Sequence, residues 1–161
     1  MSRMDINQHL QRKFLVVVDG TPEVHAALRF VARRAHGTGG KVALVLVIEP
    51  GGFEHWLGVG SLMKEDALGE AERVLGECVA IVEELGGEKP KTHIREGHGS
   101  EEIQRLIDED PTISTLVLAS GYGPAGPGPL VSALATGKTD FHIPVTIVPG
   151  SLSDDEIDAL T

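Results

Sequence analysis

The stretch Phe14-Leu15-Val16-Val17-Val18-Asp19-Gly20-Thr21-Pro22 decides the fold. Its apolar run has no polar alternation, so a strand formed there must be covered on both faces, as in a parallel sheet. Asp19-Gly20 ends the run. Thr21-Pro22-Glu23 then predicts a helix start, with Thr21 as N-cap, Pro22 at the first helical position and an acid in the first turn. Val24, Ala27, Leu28, Val31 and Ala32 recur at helical spacing until Gly37, Gly39 and Gly40 stop the pattern.

Working outward, the same unit repeats. Residues 42–48 form a second apolar run, and residues 49–61 are irregular, carrying Phe53, Trp56 and Leu57 among glycines. A long helix is predicted from about Leu62 to Leu85, with Ala67, Ala71, Val74, Cys78, Ile81 and Leu85 on one stripe. Lys91 to Glu96 reads as a more polar strand at an edge. A helix opened by Ser100-Glu101-Glu102, a strand over 113–119, a Gly/Pro loop, a short helix near 130–135 and a strand over 145–148 complete the pattern. The expectation is a single doubly wound α/β domain with about five parallel strands over residues 13–150. A polar lead (1–12) precedes it and an acidic tail (151–161) follows it. Ligands of such sheets sit beyond the carboxyl ends of the strands where the winding reverses. That directs attention to Asp19-Gly20, the 49–61 loop and the 120–128 loop.

The chain's 161 residues suit one domain, and 41% hydrophobic content suffices for a core. Its 24 acids exceed its 14 bases, giving a net charge of −10 with no basic block anywhere. Nucleic acid and anionic membranes are therefore excluded as expected partners. The single cysteine, Cys78, falls on the apolar helical stripe and reads as a buried thiol. The lead lacks the apolar core of a signal peptide, and the uncharged run 111–137 is broken by Pro and Gly. A cytoplasmic protein is expected.

Three motif-like signals fail on context. Gly121-Tyr-Gly123-Pro-Ala-Gly126 is a literal GxGxxG, but Pro127-Gly128-Pro129 delays the helix and no acid ends the next strand. Ser132 to Thr139 nearly matches a P-loop, but Ser132 replaces the first glycine and a strand, not a long helix, follows. The seven histidines form no tight ligand cluster. A fourth signal is electrostatic: after Arg105, Lys138 is the only Lys or Arg, beside a glycine-rich loop whose N–H groups could cradle phosphate. A surface lysine beside Asp140 is the alternative.

Across residues 13–150 the chain resembles the universal stress protein family. The resemblance rests on the strand ending in Asp19-Gly20-Thr21, on Leu46-Val47-Ile48-Glu49-Pro50, and on Arg95-Glu96-Gly97 with Ser100-Glu101-Glu102-Ile103. Leu116 to Gly121 and Ile143 to Pro149 add to it. It implies strand order 3-2-1-4-5 and a homodimer along the fifth strand, with Val145 and Ile147 at the interface. It also implies either an ATP-binding member, with Mg accompanying the nucleotide, or a nucleotide-free one. In ATP-binding members the position of Asp19 holds the ribose and that of Val47 contacts adenine through its backbone. A G-x2-G-x9-G-[ST] loop binds the phosphates. Mapped here, that loop draws on Ser120, Gly121, Gly123, Gly126, Gly137, Lys138 and Thr139. Ten residues rather than nine separate Gly126 from Gly137, and Lys138 stands where Ser or Thr is expected.

Two features lie outside that scheme. Phe53, Trp56 and Leu57 are expected to cover the core, with a lid or partner patch as the alternative. The tail carries the capping box Ser153-Asp-Asp-Glu156, with Ile157 and Leu160 as a small apolar face. It is expected to dock on the other subunit rather than fray. The leading function is a dimeric, adenine-nucleotide (ATP) binding stress-response module; the alternative is a nucleotide-free regulator acting by protein–protein contact. No nucleophile–base–orienter set is visible, so catalysis is not expected.

Overall fold

The computed structural model describes residues 12–50 and 64–161. Its elements alternate: β1 (Lys13–Val17), α1 (Val24–Thr38), β2 (Lys41–Ile48), α2 (Lys64–Glu84), β3 (Lys91–Glu96), α3 (Gly99–Glu109), β4 (Ile113–Ser120), α4 (Pro129–Ala135), β5 (Val145–Pro149) and α5 (Asp154–Leu160). The strands make one parallel sheet in the order β3-β2-β1-β4-β5. The polar strand β3 is an edge, as its composition predicts. The Phe53/Trp56/Leu57 segment, expected to cover the core, lies outside the described residues.

The apolar runs follow from where the helices lie. Val16 of β1 joins the core under α1 and α2, while Leu15 joins the core under α3 and α4. On β2, Val42, Leu44, Leu46 and Ile48 serve the first core, and Ala43 and Val45 the second. Neighbouring side chains on a strand point to opposite faces, so every position of a two-sided strand must be apolar.

Two local expectations are corrected. Thr21 does not cap α1: its N–H donates to Asp19 Oδ1 at 2.9 Å and its hydroxyl donates to the same oxygen. This turn postpones the helix, which has Glu23 at its N-cap position. The tail, expected on the other subunit, packs on its own chain. Helix α4 lies on the second face, while on the first face α1 contacts β4 and β5 and α5 packs against α1. Ile157 is fully buried in the first core. Arg29 donates two parallel hydrogen bonds to Asp158, both 2.8 Å, and Arg33 Nε lies 3.0 Å from Asp158 Oδ1. The Ser153/Glu156 capping box is formed.

At the amino edge of the sheet, Asp110 ties β1 to the turn before β4. Its Oδ2 accepts from Lys13 Nζ at 2.7 Å, and its Oδ1 accepts from Thr112 N–H and hydroxyl. Desolvation pushes this carboxyl up, but the Lys13 and Thr112 hydrogen bonds outweigh it and hold the pKa at about 2.

Two outcomes are expected. Ile157→Ala should weaken α5 docking by about 2 kcal/mol or more, read as faster hydrogen exchange of α5 amides with the central strands unchanged. A carboxyl with a depressed folded-state pKa contributes stability above its unfolded value, and that contribution is lost as pH falls toward the folded value. Asp110→Asn should therefore flatten the fall in urea stability between about pH 4 and pH 2.

Candidate functional site

The chain leaves β1 toward β2 on one side and returns to β4 on the other, so the winding reverses between β1 and β4. A gap at the carboxyl edge follows from that topology. There the structure has a cleft of about 120 Å³, lined by Val17, Asp19, Thr21, Glu23, Val24, Leu118, Ala119 and residues 127–131. Ligand sites for whole small molecules run to roughly 300–1,000 Å³. This cleft therefore has room for no more than a sugar-sized portion of a ligand. A larger hollow of about 400 Å³ opens at the amino edge, lined by Lys13, Lys41, Lys89 and Lys91 among others. It lies at the edge opposite the winding reversal, so the smaller cleft is the candidate site.

Asp19 stands at the tip of β1. Both hydrogen bonds from Thr21 end on Oδ1, which leaves Oδ2 without a protein partner among the described residues. A carboxylate oxygen fixed in this way accepts well from a sugar hydroxyl.

Val47 is placed by the ladder. Val18 N–H donates to Val45 O at 2.9 Å, and Gly97 N–H donates to Ile48 O at 3.0 Å. The odd-numbered residues of β2 therefore turn their peptide groups toward β1, and the even-numbered ones toward β3. Two residues past Val45, the Val47 N–H and C=O face the β1 side beyond the last β1–β2 pair, Val17–Val45. Such an exposed donor–acceptor pair suits the edge of a planar base. Val47 lies one strand over, outside the cleft lining itself.

The sequence-predicted phosphate residues are not brought together. Gly121 N–H donates to Pro127 O and Gly126 N–H to Gly123 O, both at 3.0 Å. The loop thus spends these donors on itself, and Pro124, Pro127 and Pro129 have none. Ser120 O accepts from Gly150 N–H at 2.8 Å, and its hydroxyl lies 3.4 Å from Gly121 O. Residues 127–131 enter α4 at the cleft, and the seven-residue helix rises about 10 Å away from it. Gly137, Lys138 and Thr139 stand at that far end. Their N–H groups donate to Leu134 O, Ala133 O and Ala133 O at 3.2, 2.9 and 3.3 Å. A P-loop places its glycines at the opposite end of a helix.

Sequence reading missed Glu23, taken only as a first-turn acid. Asp19 and Glu23 are the only charged side chains lining the cleft among the described residues. No signal along the chain could have revealed this, because Glu23 is set against Gly121 and Gly150 from distant segments. Burial and the neighbouring acids Glu77 and Asp19 raise the Cys78 thiol to about 11, so it is an inert core group. Burial lowers the pKa of His93 and favours its neutral form. No group of three or more metal-ligating side chains occurs among the described residues.

Comparison with known proteins now bears on this arrangement. No curated protein matches the sequence. Among solved structures, a universal stress protein from Archaeoglobus fulgidus aligns with a TM-score of 0.67 at 20% identity, covering 91% of this chain and 99% of that one. A universal stress protein from the same organism in complex with dAMP gives 0.63 at 22% identity, covering 86% and 98%. Another, in complex with cAMP, gives 0.61 at 17%, covering 88% and 98%. These likenesses establish the fold. The family model for the universal stress protein family matches residues 11–149, and with most of the chain so matched, this protein belongs to the universal stress protein family.

Proposed function

We propose that this protein is a dimeric adenine-nucleotide-binding stress-response module that acts through partners rather than by catalysis. The observation that carries the reading is the cleft at the winding reversal, with Asp19 Oδ2, unpartnered among the described residues, at its rim and the Val47 peptide edge one strand away. An adenine on the Val47 edge with its ribose at Asp19 uses both. The dAMP and cAMP complexes of the similar structures support an adenine nucleoside as the common element. The fit is uneven: the residues suit a nucleoside, whereas the consumed amides and the distance of Lys138 do not suit a triphosphate with Mg²⁺. ATP belongs to this proposal only as an adenine nucleotide held by its nucleoside end.

The dimer is proposed along β5, one of the two edge strands of the sheet. Leu116 N–H donates to Pro144 O, and Gly150 N–H to Ser120 O. The even-numbered residues of β5 therefore bond β4, and Val145 and Ile147 turn their peptide groups outward. Ile147 is 43% exposed, an apolar side chain on an unpaired edge. A cytoplasmic setting goes with the same proposal. Among the described residues, no helix is long and apolar enough to cross a membrane.

Titration calorimetry of nucleotide-stripped protein tests the nucleoside site. Adenosine and AMP should bind near one per chain. Asp19→Ala should weaken adenosine about tenfold or more while leaving free adenine within about threefold, since a hydrogen bond to a charged group contributes roughly 1.5–3 kcal/mol. Absence of heat for every adenine compound up to millimolar concentration would leave the nucleotide-free regulator as the function. For the dimer, Val145→Pro deletes an outward N–H and should give monomer by light scattering; an unchanged dimer mass would exclude this edge.

A further inference from the structure

We infer that Glu23 makes the carboxyl-edge cleft selective for adenosine and adenosine monophosphate over adenosine polyphosphates. The inference rests on the nucleoside-site reading above and adds the ligand's phosphate count.

Glu23 is held in place by two glycines remote from it in sequence. A methyl group placed on Gly150 would meet Glu23 Cβ at 2.3 Å and Ser120 O at 2.8 Å. One placed on Gly121 would meet Glu23 Oε1 at 2.9 Å and Gly126 O at 2.6 Å. The backbone after β4 and the backbone after β5 thus close on this one side chain. The carboxylate is set against the 121–126 loop, which the family resemblance maps as the phosphate loop.

Three further observations point the same way. Asp19 gives the cleft a second carboxylate, and no Lys or Arg lines it among the described residues. Gly121 and Gly126 direct their N–H groups into the loop itself. Four of the chain's six lysines, Lys13, Lys41, Lys89 and Lys91, line the hollow at the opposite edge of the sheet. A ribose hydroxyl needs an acceptor, and the Asp19 carboxylate offers one. A β- or γ-phosphate would bring further negative charge toward Glu23 without a compensating donor or cation, and like charges at close range disfavour one another.

The test is calorimetry of nucleotide-stripped protein with adenosine, AMP, ADP and ATP, each in EDTA and in Mg²⁺. The wild type should bind adenosine and AMP within about threefold of each other and ATP about tenfold more weakly. Glu23→Gln keeps the shape and removes the charge. It should bring ATP to within about threefold of AMP, with a smaller change for adenosine, and Glu23→Lys should place ATP ahead of AMP. The wild-type deficit for ATP should shrink between low and high salt, because exposed charges are screened; a steric obstruction would not respond in that way. Wild-type ATP binding as tight as AMP in EDTA overturns the inference. So does loss of Mg-ATP affinity in Glu23→Gln, which would make Glu23 a metal ligand. Failure of adenosine to bind any of the three proteins removes the nucleoside site, and this inference with it. Adenosine binding without phosphate discrimination removes the inference alone.

Discussion

Burial of β1 on both faces is the constraint on which the rest depends. Leu15 and Val16 are completely inaccessible, each in a different core. A strand in that position needs neighbours on both sides and helices above and below, because its peptide groups must bond other strands and its side chains must leave water. Strands added to either side of β1 force the winding to reverse at β1, and the reversal opens the gap that Asp19 and Glu23 line. Core packing and the candidate site thus share one origin.

The same geometry assigns the tail its place. Two helices cover each face in the order of the chain; on the first face α1 lies over β1, β4 and β5, and the tail packs against α1. An acidic tail of seven helical residues is too short to hold a helix alone in water. Here it is held by Ile157 in the core and by the Arg29 and Arg33 contacts with Asp158. Its position on the chain's own α1 leaves the outer edge of β5 available for pairing with another copy.

Much of this was legible along the chain. Phe14 to Val18 and Val42 to Ile48 declared two-sided strands, Lys91 to Glu96 declared an edge, and Ser153 with Glu156 declared a helix start. All are local patterns of side-chain type, and local conformation sets them. Asp19 at a strand tip was equally visible, because strand direction and the rule of carboxyl-edge binding need only local information. Thr21 has two competing uses for its hydroxyl, capping a helix or closing a turn on Asp19, and the structure has the turn.

Sequence by itself determined the α/β alternation, the central apolar strands, the edge character of β3, the lack of basic blocks and the acid at the tip of β1. Each depends on residue type at short spacing, which backbone geometry converts directly into structure. Only the tertiary structure decided that Gly137, Lys138 and Thr139 close the far end of α4, that the tail lies on its own subunit's α1, and that Glu23 is enclosed by Gly121 and Gly150. Those outcomes join segments separated by up to about 130 positions. The contact between them is set by how strands and helices stack, and no periodicity within either segment carries that information.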